Sequence, residues 1–360
     1  QNNFMGTGNR VKAALSRSET RDSYSLGYTD PYFTENGVSQ GVSAYYRKTK
    51  YDDRNVSNYV TDAYGATLNY SYPVDETKRV SAGLNVDKTT VRGGSRLGVS
   101  NVQQIIDGGG TFEKFTDVER TGFKNDYQTY NLLLGWDYST LDRPVFPNKG
   151  MSHTVDATIG FGDESYQKLV YRGNIYYPIY KDWVARGYTK LGYGNDLPFY
   201  ENFYAGGYGS VRGYESSTLG PKSQSYADAI DKDIRYLQDE EVGGNALVSF
   251  GTELILPMPF KGDWADQVRP VLFAEGGQVF DTTDKEDRDF INPKTGAPYE
   301  NKDGSPVKLL TQDNKFRFSA GLGVTWYTPI GPISLSYAVP IGDKEGDETE
   351  KVQFQIGNTF

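Results

Sequence analysis

Apolar and polar residues alternate at every step through long stretches of this chain, the period of a β-strand whose two faces meet different surroundings. In 316–327 (FRFSAGLGVTWY), Phe316, Phe318, Ala320, Leu322, Val324 and Trp326 share one face, and Arg317, Ser319, Gly321, Gly323 and Thr325 share the other. Ile333, Leu335, Tyr337 and Val339 oppose Ser334, Ser336 and Ala338, and Val352, Phe354, Ile356 and Phe360 oppose Gln353, Gln355, Gly357 and Thr359. Earlier, Tyr130, Leu132, Leu134, Trp136 and Tyr138 oppose Asn131, Leu133, Gly135 and Asp137. Small and polar residues dominate the second face, where the core of a dry sandwich would need bulky apolar ones.

The pattern predicts about fourteen strands: 7–16, 21–29, 38–50, 59–72, 78–91, 126–139, 150–162, 166–179, 182–194, 245–256, 267–280, 315–328, 332–340 and 351–360. Their connections fall into two alternating classes. Segments 30–37, 73–77, 140–149, 180–181, 257–266 and 329–331 are short and rich in Pro and Gly; 92–125, 195–244, 281–314 and 341–350 are longer and polar. Short turns on one side and long loops on the other are the periplasmic and extracellular ends of a bacterial transmembrane antiparallel β-barrel. The strands are also long enough, when tilted, to cross a hydrocarbon layer. A soluble propeller or jelly roll, which also has regular strands, is the alternative. Aromatic residues near strand ends (Tyr138, Tyr176, Tyr177, Trp183, Trp326, Tyr327) favour the membrane, as girdles at its interfaces.

Composition removes an objection. Mean hydropathy is −0.63, and no apolar run could form a spanning helix. A barrel wall averages an apolar exterior with a polar lumen, so this value does not argue for a soluble chain. Tyr (29) and Gly (41) are abundant, as such walls require. The net charge of −9 gives no reason to expect nucleic acid as a partner. No signal peptide opens the 360 residues.

Candidate chemistry is sparse. There is no cysteine and one histidine, His153, so thiolate catalysis is excluded and a serine–histidine dyad could exist only there. A wall or girdle role suits His153 better. The acidic run 343–350 (DKEGDETE) and the loop 281–314 lack the spacing of a calcium loop and read as solvated charge. The glycine-rich stretches 108–110 and 206–213 lack the phosphate-binding pattern. No catalytic residue, metal site or cofactor is expected, and the chain is not expected to be an enzyme.

One loop stands apart. Segment 199–221 (FYENFYAGGYGSVRGYESSTLGP) is aromatic and glycine-rich, with few charges before Arg212. Such a composition suits a loop packed against something. Folded into the lumen, Arg212 would need acceptors, because burying an unpaired guanidinium is very costly. Glu253 shares a face with Ser249 and Gly251, and Glu275 lies in the strand VLFAEGG; both are available as inward carboxylates able to hold an arginine bidentately.

The run Val211-Arg212-Gly213-Tyr214, preceded by FYENFYAGG, resembles the sixth extracellular loop of BamA-type barrels, the central subunits of the bacterial β-barrel assembly machinery. DPYF (30–33), LDRPVFPNKG (141–150), LPMPF (256–260), TPIGPISLSYAVP (328–340) and FQIGNTF (354–360) match in order over nearly the whole chain. The resemblance implies a barrel of sixteen strands whose first and last strands meet in a seam that opens sideways into the membrane. Substrate strands with a C-terminal aromatic signal would be templated at that edge. Here one lip would be Val352–Phe360, lined by Val352, Phe354, Ile356 and Phe360, with Gly357 at the family's kink position. Arg212 would pair with Glu253 and Glu275 in the lumen.

By the same resemblance, the partners would be unfolded outer-membrane proteins, periplasmic lipoproteins, and outer-membrane lipid and lipopolysaccharide. The first strand here aligns with the family's third, so two strands and the periplasmic polypeptide-transport-associated domains would precede it. The resemblance implies an insertase of the Gram-negative outer membrane. A translocation barrel for secreted polypeptides or autotransporters remains open, as does a passive diffusion porin with a charged eyelet.

Overall fold

In the computed structural model the described residues are 3–17, 21–50, 59–94, 96–114, 121–230, 239–258, 267–292, 295–328, 331–344 and 346–357. Fourteen wall strands follow one another as antiparallel neighbours in chain order. They are β1 (Arg10–Arg17), β2 (Arg21–Asp30), β3 (Ser39–Lys50), β4 (Tyr59–Pro73), β5 (Lys78–Gly93), β6 (Thr121–Ser139), β7 (Gly150–Gly162), β8 (Tyr166–Tyr180), β9 (Trp183–Asn195), β10 (Ala246–Ile255), β11 (Val268–Phe280), β12 (Arg317–Thr328), β13 (Gly331–Ile341) and β14 (Val352–Ile356). Among the described residues no ladder joins β1 to β14. The strand ranges agree with the expected ones to within a few residues, except that β6 starts earlier, β1 starts later and β14 stops at Ile356. Phe360 lies outside the described residues.

Alternation sets which side chain meets lipid. Leu26, Leu84, Leu322 and Phe354 are each more than half exposed, and Trp326, Leu335 and Tyr337 project beside them on the same outer surface. Asn85, Ser249, Ser319, Ser336 and Gln353 lie on the opposite face and are buried. An apolar exterior around a polar interior is stable only in a bilayer, where the ladders also satisfy the backbone groups between neighbouring strands.

His153 takes its place in the outer aromatic band, its ring stacked between Tyr138 and Tyr171, with Nδ1 2.8 Å from the Tyr171 hydroxyl. Two of the expected girdle residues face the other way. Tyr176 lies beneath the guanidinium of Arg186 in the lumen, and Tyr327 meets the ring of Phe146. Both sit at strand ends, where an aromatic ring suits a water-lined mouth as well as a lipid interface.

The long loops are not simply polar. Segment 92–125 holds the helix α1 (Val99–Asp107), and Val99, Val102 and Ile105 turn one apolar face inward. They pack with Tyr59, Val91, Leu97, Phe199, Phe290 and Leu309 into a dry cap over the extracellular end. A second cluster beneath it holds Leu197, Phe203, Val211, Tyr214 and Leu247, tying the glycine-rich loop to the wall.

Candidate functional site

The loop between β9 and β10 descends into the lumen and delivers Val211-Arg212-Gly213-Tyr214 to the inner surface of β9–β13. Val211 and Tyr214 are fully buried, and their packing holds the loop in place. Gly213 has φ +93°, a left-handed conformation, and a β-carbon there would come within 3.1 Å of Ala338. Both facts favour glycine at this position.

Arg212 is almost wholly buried, and its backbone N–H, Nε and Nη2 are bonded to the wall. Its backbone N–H donates to Glu275 Oε2 at 2.8 Å, and Nε and Nη2 donate to Glu275 Oε1 at 2.9 and 2.6 Å. Nη2 also donates to Glu253 Oε1 at 2.8 Å and reaches the Tyr188 hydroxyl at 3.3 Å. The guanidinium lies 3.5 Å from the centre of the Phe273 ring. Burial alone would penalise the charge, but the Glu275 and Glu253 carboxylates outweigh that penalty and raise the guanidinium's pKa above its ordinary value.

The structure thus brings Arg212 together with Glu253 and Glu275. Four further residues were not singled out. Tyr188 donates to Glu275. Arg186 donates to Glu253 Oε2 at 2.8 Å and to Asn174 Oδ1 at 2.7 Å, so two arginines share Glu253. Phe273 supplies the ring face. Arg186, Tyr188 and Phe273 lie on the inward phase of their strands, but which of several inward residues meets the loop depends on register. Packing is tight around the pair. A β-carbon at Gly251 would fall 2.5 Å from the Tyr188 ring and 3.0 Å from Glu275 Cγ.

The fourth missed residue is Gln353. Its Nε2 donates to the Tyr214 carbonyl at 2.7 Å, and its Oε1 accepts from Gly213 N at 3.4 Å. Alongside, Gly213 and Tyr214 pair with Glu350 and Thr349, and Glu215 N donates to the Glu348 carbonyl at 2.9 Å. The motif is thus bonded to β10 and β11 on one side and to the start of β14 on the other. Of the residues expected at the last strand, Val352, Phe354 and Ile356 point outward to lipid. Gly357, immediately after them, has φ +88°, so the chain leaves the direction of β14 there.

The acidic run is partly structural. Arg317 donates to both oxygens of Asp347, at 2.6 and 3.0 Å, which fastens that loop to β12. Lys222 pairs with Glu241 at 2.8 Å in the loop above the motif.

Comparison with known proteins gives a consistent result. The sequence model described as the Omp85 superfamily domain matches residues 3–360. The outer membrane protein assembly factor BamA of Neisseria meningitidis serogroup B is 35% identical over 376 residues, covering all of this chain and 44% of that protein. The sorting and assembly machinery component 50 homolog A of Xenopus laevis is 26% identical over 164 residues, covering 44% of this chain and 29% of that protein. The chain thus spans less than half the length of these curated relatives. Among solved structures, BamA from Haemophilus ducreyi lacking POTRA domains 1–3 superposes with a TM-score of 0.78 at 29% identity, covering 98% of this chain and 65% of that one. CdiB from Escherichia coli, at 12% identity and a TM-score of 0.55, covers 98% of this chain and 56% of that one and shares the fold.

Proposed function

Because this chain belongs to the Omp85 superfamily, we propose that it is the outer-membrane barrel of an insertase that assembles other β-barrel proteins. The observation that carries this reading is the loop motif, fixed to β10 and β11 through Arg212 and bonded to the last strand through Gln353. That connection holds the edge strand in position, with no described strand paired along its other edge. Such an edge can accept an incoming strand by main-chain pairing, which is β-augmentation rather than covalent catalysis. An unpaired edge is normally an aggregation hazard; in an insertase it is the working surface. The names of the relatives from Neisseria and Xenopus, an assembly factor and a sorting and assembly component, support the same reading.

In this account Val352, Phe354 and Ile356 face the lipid beside the incoming strand, and Gly357, left-handed but with its N–H still donating to the Pro332 carbonyl at 2.8 Å, is the point at which the end of β14 could turn. Substrates would be unfolded outer-membrane proteins with a C-terminal aromatic signal, delivered with the help of periplasmic lipoproteins. A passive porin would need an open eyelet, and the buried loop of Val211–Tyr214 occupies that space.

The test is photocrosslinking from β14 in living cells. A photoreactive residue replacing Gln355 should capture the C-terminal strand of a nascent barrel protein, and a tether between β14 and its seam partner should abolish both capture and insertion. Normal insertion with the seam tethered would refute lateral templating.

A further inference from the structure

Charge is distributed unevenly over the outer surface of the wall. Tyr24, Tyr46, Tyr64 and Lys88 follow one another in register across β2–β5, on the phase that carries the exposed Leu26 and Leu84. One step nearer the extracellular end, the next outward row is Asp22, Lys48, Asp62, Thr90 and Asp126. Above it, Lys50, Val60, Arg92 and Lys124 follow across β3–β6. The strand itself sets the height of these rows. On β4, Tyr72 and Asp62 are outward residues ten positions apart, about 33 Å of strand and about 25 Å along the barrel axis at the usual tilt. An outer-membrane wall has an apolar band of about that height between its aromatic girdles. The charged rows therefore stand among the headgroups of the outer leaflet.

The carboxylates in these rows are already engaged. Asp22 lies 3.5 Å from Arg17 Nε. Asp62 is ion-paired with Arg92 and accepts from the Tyr46 hydroxyl at 3.1 Å, and Asp126 accepts from the Thr90 hydroxyl at 2.6 Å. Among the described residues no carboxylate lies within ion-pair distance of Lys48, Lys50 or Lys88. Three cations are thus left over on the surface of a chain whose net charge is −9. Their aliphatic stems can lie along the tyrosine row while the ammonium groups stay at headgroup level. The same end of β10–β12 is built differently: Phe250, Phe280, Phe316 and Phe318 pack ring to ring there, with neighbouring centres 5.7–6.4 Å apart. The positive surplus is a local feature of β3–β5.

We propose that the outer face of β3–β5 at this height is a docking site for a lipid of the outer leaflet whose headgroup carries two phosphate groups, held by Lys48, Lys50 and Lys88. Charge selects this occupant. A phosphate monoester carries roughly 1.5 to 2 negative charges near neutral pH, so two of them match three lysines. A zwitterionic phospholipid offers no net charge, and a phosphodiester lipid offers too little. Cations beside a bilayer surface attract anionic lipid, and the tyrosines below fix the depth at which the headgroup meets them. The acyl chains then run down the wall past Leu26 and Leu84. An acidic protein could answer the charge but not the lipid-facing side chains beneath it. The site does not depend on insertase activity, only on a barrel standing in this membrane.

Two measurements on the full-length protein test it. In the first, protein in phosphatidylcholine vesicles containing diphosphoryl lipid A is re-extracted in mild detergent and assayed for bound lipid. Lys48→Gln with Lys50→Gln and Lys88→Gln should retain several-fold less lipid A than the unaltered protein. Lys78→Gln with Lys149→Gln and Lys181→Gln, an equal loss of charge at the periplasmic end, should retain as much as the unaltered protein. Equal retention by the two triple variants, or equal retention of lipid A stripped of its phosphates, would overturn the site. The second measurement uses unaltered protein and so decides even where a variant does not fold. A soluble amine-acylating reagent should modify Lys48, Lys50 and Lys88 several-fold more slowly when the vesicles contain lipid A, and phosphatidylglycerol in its place should protect much less. Unchanged reactivity with lipid A, or equal protection by phosphatidylglycerol, would rule out a two-phosphate ligand.

Discussion

The ladders in the middle of the wall and the ladder at its end are built to different standards. β5 and β6 pair continuously from Lys78↔Tyr138 to Gly93↔Phe123, and β10 and β11 from Ala246↔Phe280 to Ile255↔Val271. Among the described residues the ladder of β14 with β13 runs from Ile333↔Ile356 to Tyr337↔Val352, with one further backbone bond at each end. The central strands are also braced from inside by Arg212, which bonds to side chains of both β10 and β11. The last strand is braced through the Gln353 amide. Rigidity and exposed pairing capacity are thus assigned to different parts of one sheet, and a single loop touches both.

The largest expected effect comes from breaking the braced side. Glu275→Ala leaves Arg212 buried with much of its charge unmatched, and removing one partner of a buried pair costs roughly 3–5 kcal/mol. The heat-modifiable transition on gels should fall markedly, with Glu275→Gln intermediate. An unchanged transition would mean that the loop is held by packing alone. A smaller and more local effect is expected on the edge side. Gln353→Leu removes the bonds to Gly213 and Tyr214, about 1–2 kcal/mol. Hydrogen exchange should speed up in Val352–Ile356 while β10 and β11 remain protected. Equal acceleration in both places would erase the distinction between the two regions.

The smallest effect concerns pH at the loop that precedes β14. Burial raises the pKa of the Glu348 carboxyl, and the adjacent Glu215 carboxyl adds to the rise. A raised carboxyl binds its proton more tightly in the folded loop than in a free chain. The contact is therefore favoured at acid pH and weakens as pH rises through that raised value. A spin label at Asp343→Cys should become more mobile between acid and neutral pH. Glu348→Gln should flatten that response; an identical response would assign the change to another group.

Much of this architecture was legible in the residues because alternation reports directly on two unlike solvents. Leu322 and Trp326 had to face the same way, and Glu275 in a glycine context had to face the other. The polar inward phase of Gln353 was equally readable, but its partner was not. Tyr214 is 139 residues away in sequence, and only the depth to which the loop descends brings them together. Tyr176 and Tyr327 were placed on the wrong face because ring chemistry at a strand end suits lipid headgroups and a wet mouth alike. Helix α1 was missed for a related reason. VSNVQQIID offers only three or four apolar positions, and their helical spacing matters only against the apolar cap they cover.

That cap separates what the cell shows from what it keeps. The arm between Asp289 and Lys308 is rooted by Phe290 and Val307, both wholly buried, while its tip from Thr295 to Pro298 is exposed. Exposed tips tolerate replacement and insertion where buried roots do not. An antibody or phage approaching from outside therefore meets a surface whose lettering can be rewritten without disturbing the machinery below. Escape from such recognition would cost the barrel little.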